Sequence, residues 1–170
     1  MNDLWVFGYA SLIWRPGFPF EERTKARLSG YRRSLCVSSH VHRGTPERPG
    51  LVFGLDRGGS CVGMAFRVEG EKSNEVRDYL RARELVTNVY RERQVKVRLF
   101  DGRNVEALAF VVDRGHPQYA GTVSVEHAAE VVARAHGQSG ANVDYVRSSF
   151  AEIRALGLDD LWLADVVARL

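Results

Sequence analysis

An α+β domain is the fold class this sequence predicts, built on a mixed, mostly antiparallel sheet or small β-barrel with helices around it. Three observations lead there. Strand-like apolar runs dominate the chain as far as Val112 and are interrupted by one helical stretch; two pairs of those runs face each other across glycine-containing connections; and the last third carries helical periodicity only. The regular βαβ alternation of a doubly wound fold is absent, as are linkers, repeats and low-complexity segments. The 170 residues are therefore read as one domain, residues 1–170, large enough to bury a sizeable core.

The chain opens with a short apolar strand, Asp3–Phe7, running directly into the glycine of Gly8-Tyr-Ala-Ser-Leu-Ile13. Pro16, Gly17 and Pro19 then impose a rigid turn on Trp14–Pro19. Lys25–Val37 mixes polar and apolar residues around Gly30, which suggests one long bent strand or two broken ones. The turn formers of His42–Gly50 predict a surface loop. Leu51–Leu55 and Cys61–Val68 flank Asp56-Arg-Gly-Gly-Ser60 and read as a hairpin. A second hairpin pairs the alternating Val95, Val97 and Leu99 with Val105–Val112 across Asp101-Gly102. Between the hairpins, Ser73 is placed to cap a helix that carries Val76, Tyr79, Leu80 and Arg83 on one face and ends near Glu84. Helices over Ser124–Ala135, Asn142–Ala155 and Asp160–Leu170 complete the chain.

Composition narrows the function classes. With 24 Lys and Arg dispersed among 21 acidic residues, a formal charge of +3 describes a solvated surface rather than a nucleic-acid face. Lys25, Lys72 and Lys96 are the only lysines, so the positive charge is nearly all arginine, whose planar fork suits carboxylates; an acidic small substrate is hinted at. No apolar run approaches the roughly 20 residues that span a bilayer, and no basic-then-apolar leader opens the chain, which makes the cytoplasm the default expectation and a membrane role unexpected. Cys36 and Cys61 sit in strand-like runs and read as free core residues. His40 and His42 alternate as strand-borne ligands can, but no third ligand joins them, so no metal site is expected.

Gly8-Tyr-Ala-Ser-Leu12 follows a strand and offers consecutive backbone N–H groups that can cup an anion; the plain alternative is a tight connection of small residues. Neither a phosphate loop nor a dinucleotide loop fits, since the spaced glycines and the lysine are missing, and no cofactor is called for. Val-Phe-Gly-Tyr-Ala-Ser-Leu-Ile-Trp at 6–14 resembles the opening of the ChaC-like γ-glutamylcyclotransferases. His42-Arg-Gly-Thr-Pro with Pro49-Gly50, Arg83-Glu84 with Tyr90-Arg91, Tyr119-Ala-Gly121 and Gly140-Ala-Asn-Val-Asp-Tyr145 resemble that family's later signatures, in order and over nearly the whole chain. One departure is visible, because the family's Tyr-Gly-Ser-Leu has glycine where this chain has Ala10. If that position needs a positive φ, alanine is strained there by about 1 kcal/mol; otherwise the methyl narrows the pocket.

The resemblance implies a reaction in which the α-amine of a γ-glutamyl substrate, glutathione foremost, attacks its own γ-carbonyl and releases 5-oxoproline, with Cys-Gly leaving. No enzyme nucleophile is needed, and the sequence offers no convincing Ser/His/Asp or Cys/His set. The resemblance places the acid/base at Glu84, on the flank of the Val76/Leu80 face and at a helix C-terminus, where partial burial and the helix dipole would raise its pKa. The plain alternative is a solvated Glu paired with Arg81, Arg83 or Arg91. Donors to the oxyanion or the substrate carboxylate are expected from Ala10, Ser11 and Leu12, within the loop Gly8, Tyr9, Ala10, Ser11, Leu12, Ile13 that holds the glutamyl end. Tyr90 and Tyr119 are pocket tyrosines by position in the matched motifs, although strict alternation sets Tyr90 on the opposite strand face from Val95 and Val97. Arg43 is a further candidate, for a glycyl carboxylate or as a loop brace. The competing function is a module that binds γ-glutamyl ligands, or regulates a transporter, without turnover.

Overall fold

The computed structural model describes residues 2–86 and 88–170. Thr87 and Met1 lie outside them. The chain forms two compact units, each drawn from two stretches: Met1–Arg33 with Leu55–Asp113, and Ser34–Gly54 with Arg114–Leu170.

The first unit contains the barrel pairings. Its elements are β1 (Leu4–Gly8), a single helical turn α1 (Ser11–Trp14), the near half of β2 (Glu22–Ser39), the far half of β3 (Gly50–Val68), α2 (Ser73–Glu84), β4 (Tyr90–Leu99) and β5 (Asn104–Val112). The strands close in the order β1-β3-β2-β4-β5. β1 runs antiparallel to β3, ending on Gly8↔Met64, and parallel to β5 through Trp5↔Ala107 and Val6↔Leu108, which supplies the closure. The other resolved pairings, β2 with β4 and β4 with β5, are antiparallel. The mostly antiparallel barrel is thus the fold the sequence predicted. Alternation explains β4, where Val95, Val97 and Leu99 are buried between exposed neighbours; the unbroken apolar run Ala107–Val112 of β5 is buried at every position, hence on both faces.

The hairpin expected over Asp56–Ser60 does not form. Residues 50–68 are one continuous strand, and Gly58 and Gly59, at φ +101° and +69°, let it accommodate extra residues without reversing. Arg32 of β2 clamps this stretch: its guanidinium lies 3.0 Å from the fully buried Asp56 carboxylate and donates to the Arg57 carbonyl, while a side chain on Gly58 would press on Arg32 Nη1 at 2.9 Å. A glycine pair that reads as a turn in isolation here supplies two consecutive positive-φ residues inside one strand. Lys25–Val37 falls within one long strand, β2, which settles the choice between one strand and two. The helix around Val76 and Leu80 ends at Glu84 as expected, but Ser73 is its first residue rather than its cap; the cap position is Lys72 and the Ser73 hydroxyl instead donates to the Asn2 carbonyl.

The second unit holds α3 (Val125–Arg134), the two-residue strands β6 (His136–Gly137) and β7 (Gly140–Ala141), α4 (Asn142–Ala155) and α5 (Leu161–Val167). Ser124 and Asp160 cap their helices, accepting from the amides of His127 and Leu163 at 3.1 and 3.0 Å. The helices bury Ala128, Val132, Val146, Ile153, Leu163 and Val166. Asn142 is wholly buried and acts as a backbone substitute: its Oδ1 accepts from Leu51 N at 2.8 Å and its Nδ2 donates to Leu51 O at 2.9 Å. Among the described residues no helix is long and apolar enough to cross a membrane.

Candidate active site

The loop after β1 folds tighter than the sequence suggested. Ile13 N donates to Ala10 O and Arg15 N to Ser11 O, both at 2.8 Å, so residues 11–14 make one helical turn instead of an open nest. The Ile13 amide is spent inside the turn; those of Ser11 and Leu12 open it, where helix geometry provides no intrahelical acceptor. Tyr9, Leu12 and Ile13 place their side chains in the core, Gly8 is buried, Ala10 is half-buried and Ser11 is exposed. Ala10 sits at φ −143° and ψ −120°, not at a positive φ, so of the two consequences weighed for alanine here the one that needs a positive φ does not apply and the occupied volume remains.

Glu84 is the last residue of α2, with its side chain 17% exposed. Burial pushes its carboxyl above the ordinary glutamate range, with the Arg83 charge working against that rise. Its surroundings bear on both readings made for it. Arg81 is committed to Glu92, holding it through two hydrogen bonds of 2.8 and 3.1 Å, and Arg91 to Asp113 at 2.8 Å. Only Arg83 of the three arginines remains beside Glu84, at 3.7 Å, outside hydrogen-bond range.

Arg83 is also what joins the two ends of the site. Its Nη2 donates to Ser11 Oγ at 3.0 Å, and its Nη1 meets the carbonyls of Arg15 at 2.6 Å and Pro16 at 3.2 Å and the Tyr79 hydroxyl at 3.1 Å. Gly17 makes this fit possible, since at φ +73° a side chain there would collide with the Tyr79 ring. Residues more than seventy positions apart in sequence are so brought together, Arg83 hydrogen-bonded to Ser11 and ion-paired at 3.7 Å with Glu84. Sequence reasoning placed Arg83 on the helix face, in a matched motif and among three partners for Glu84, but gave it no role at the 8–13 loop. A second arginine was missed altogether: Arg33 on β2, 9% exposed, donates from Nε to Tyr9 O at 2.5 Å and from Nη2 to Val62 O at 2.8 Å. Its burial among backbone carbonyls leaves no periodic signature in a strand of mixed polarity.

Tyr90 opens β4, and its register with Val112 is continuous with that of Val95 and Ala107, so no bulge intervenes. Tyr90 therefore shares its face with Glu92, the residue that Arg81 of α2 grips, and not with Val95 and Val97. Tyr119 and Arg43 belong to the second unit. Tyr119 bridges to Val37. Arg43 has its guanidinium 5.4 Å from the centre of the Tyr145 ring and donates to Ala141 O at 3.2 Å, while its amide donates to Ser39 Oγ at 2.9 Å. These contacts brace the 42–50 loop. His42 Nδ1 lies 3.0 Å from Ser139 Oγ, and among the described residues no group of three or more His, Cys, Asp or Glu is arranged to hold a metal ion.

The arrangement offers a desolvated carboxylate, a neighbouring cation that is occupied elsewhere, and a helical turn presenting amides and a hydroxyl. Such a set can move a proton and meet an anion without a protein nucleophile. Comparisons with known proteins point the same way. The family model described as "ChaC-like protein" matches residues 4–169. The chain is 34% identical over 166 residues to the glutathione-specific γ-glutamylcyclotransferase of Escherichia coli (strain K12), covering 98% of this chain and 72% of that protein. It is 33% identical over 175 residues to glutathione-specific γ-glutamylcyclotransferase 1 of Danio rerio, covering 99% and 89%. The crystal structure of a γ-glutamyl cyclotransferase specific to glutathione from yeast shares the fold, with a TM-score of 0.85 at 23% identity, covering 99% of this chain and 97% of that one.

Proposed function

Because the chain belongs to the ChaC-like family and is a γ-glutamylcyclotransferase, we propose that its substrate is glutathione and that Glu84 is its acid/base residue. The observation that carries the assignment is the state of Glu84: mostly buried, raised in pKa by that burial, and linked through Arg83 to Ser11 of the helical turn. In the reaction the substrate α-ammonium gives a proton to the Glu84 carboxylate. The freed amine attacks the γ-carbonyl carbon, forming the ring C–N bond and a tetrahedral oxyanion. Collapse breaks the amide C–N bond, and protonated Glu84 returns its proton to the departing amine, so that 5-oxoproline and Cys-Gly leave and the enzyme is unchanged.

The amides of Ala10, Ser11 and Leu12 and the Ser11 hydroxyl supply donors for the oxyanion and the α-carboxylate. Tyr90 is proposed to contribute a substrate contact from the Glu92 face of β4. The mechanism uses residues of the first unit alone. A cytoplasmic location is proposed with it. Incubating purified protein with glutathione and measuring 5-oxoproline and Cys-Gly tests the reading: release by the wild type and its loss in a folded Glu84→Gln variant support it. A protein that binds glutathione but releases nothing is the non-catalytic module instead.

A further inference from the structure

We propose that Arg33 is a positioning residue for the reaction, setting the direction of the Ala10 amide by holding the carbonyl of the same peptide unit. The inference rests on the reading that this amide meets the γ-glutamyl group. Arg33 is 9% exposed and sends its donors into backbone: Nε to Tyr9 O at 2.5 Å and Nη2 to Val62 O at 2.8 Å. One rigid guanidinium plane thereby ties β2 to the loop after β1 and to β3.

Two features make the bond directive rather than merely cohesive. The peptide between Tyr9 and Ala10 is planar and trans, as no cis bond occurs among the described residues, so its N–H points opposite to its C=O. Fixing the Tyr9 carbonyl on Arg33 therefore turns the Ala10 N–H away from Arg33. In addition, Val62, the other acceptor, precedes Gly63, where any side chain would strike the Gly8 carbonyl. β3 thus passes against the strand end at Gly8, and Arg33 spans from that contact to the next peptide. On the other side of the loop, Ser11 is held independently by Arg83. The Ala10 amide lies between two arginine anchors, and of the two it is Arg33 that holds its own peptide plane.

The test is the kinetics of 5-oxoproline release from glutathione for Arg33→Met and Arg33→Lys, over a pH series, with circular dichroism and thermal melts on the same preparations. Misplacing one donor of this kind costs on the order of a hundredfold. Arg33→Met is expected to lose about that factor in kcat/KM while the pH limb of Glu84 stays where the wild type has it. Arg33→Lys keeps the charge but not the planar pair of donors and is expected to lose about tenfold. A folded Arg33→Met with kcat/KM within threefold of wild type, a lowered melting temperature notwithstanding, makes Arg33 structural only and overturns the proposal. Should Arg33→Met fail to fold, Arg33→Lys decides: wild-type kinetics in that variant overturn it equally. Failure of the underlying reading is separate, since it appears as an inert wild type or an active Glu84→Gln whatever Arg33 does.

Discussion

Replacing Glu84 by glutamine should do two opposite things, abolishing turnover and stabilising the fold. An α-ammonium near 7.8 facing an ordinary glutamate near 4.3 is mismatched by about 3.5 units, nearly 5 kcal/mol, and each unit by which burial raises the carboxyl recovers about 1.4 kcal/mol, or tenfold in rate if fully expressed. Glutamine keeps the shape and offers no exchangeable acid. Taking the usual contribution of a positioned acid/base, kcat should fall by about 10²- to 10⁴-fold. Stability runs the other way because the folded pKa of Glu84 is raised by burial. A carboxyl of that kind contributes fully below its unfolded pKa, near 4.3, and its contribution is lost as pH rises through the higher folded value, since the unfolded chain then binds fewer protons than the folded one. Glu84→Gln should therefore melt above wild type at pH 7, with the difference closing as pH approaches 4. Product release followed by mass spectrometry, with thermal melts at pH 4, 5, 6 and 7, reads both effects. Turnover within tenfold of wild type refutes the catalytic assignment. A variant that melts lower at pH 7 than at pH 4, relative to wild type, refutes the claim that burial governs this carboxyl.

Arg83→Gln removes the charge that lowers the Glu84 pKa, so the limb of the pH–kcat/KM profile that reports deprotonated Glu84 should move to higher pH; movement to lower pH would contradict the ion-pair geometry. The same variant loses the bond to Ser11, and KM for glutathione should rise as well. Ala10→Gly should lower stability by about 0.5–1 kcal/mol, seen as a drop of about 1–4 °C in melting temperature, because Ala10 does not sit at a positive φ and glycine adds freedom to the unfolded chain; a rise would mean that Ala10 is strained. Asn142→Ala orphans both polar groups of Leu51 and should cost about 2–4 kcal/mol in urea unfolding, with an effect under 1 kcal/mol showing that water replaces the side chain.

Legibility followed the range of each signal. The β4–β5 hairpin, the end of α2 at Glu84 and the caps at Ser124 and Asp160 were readable because period and turn chemistry are local. The supposed turn at Gly58-Gly59 was misread because two positive-φ glycines also fit inside one continuous strand, and the residues alone do not say which of the two the chain adopts. Tyr90 kept the alternation that argued against grouping it with Val95 and Val97; the face it occupies is the one engaged by α2 through Arg81 and Glu92. The loop at 8–13 was located by motif but not shaped, since its single helical turn depends on Arg33 and Arg83, neither a neighbour in sequence. Arg43 lies in a matched motif too, yet its contacts with Tyr145 and Ala141 are those of a brace, a distinction visible only once α4 and β7 are in place.

α2 and its surroundings contain their own control experiment for how a carboxylate is assigned its role. Glu92 and Glu84 each lie beside an arginine of the same helix, Arg81 and Arg83. Arg81 grips Glu92 with two short hydrogen bonds, and the Glu92 carboxyl is held below its ordinary range. Arg83 comes no closer than 3.7 Å to Glu84, and the Glu84 carboxyl is raised. The difference is not in the residue types but in where the guanidinium donors go. Arg83 spends its donors on the carbonyls of Arg15 and Pro16, the Tyr79 hydroxyl and Ser11 Oγ. Held there, it tempers the desolvation of Glu84 without neutralising it. A bidentate pair in its place would give a carboxylate too weakly basic to accept a proton from an ammonium group. The contacts that fix the helical turn are therefore the same ones that keep Glu84 basic, so a substitution that frees Arg83 from the turn, such as Ser11→Ala, should draw Arg83 toward Glu84 and move its pH limb downward. An unmoved limb would show that Arg15, Pro16 and Tyr79 suffice to hold the guanidinium away.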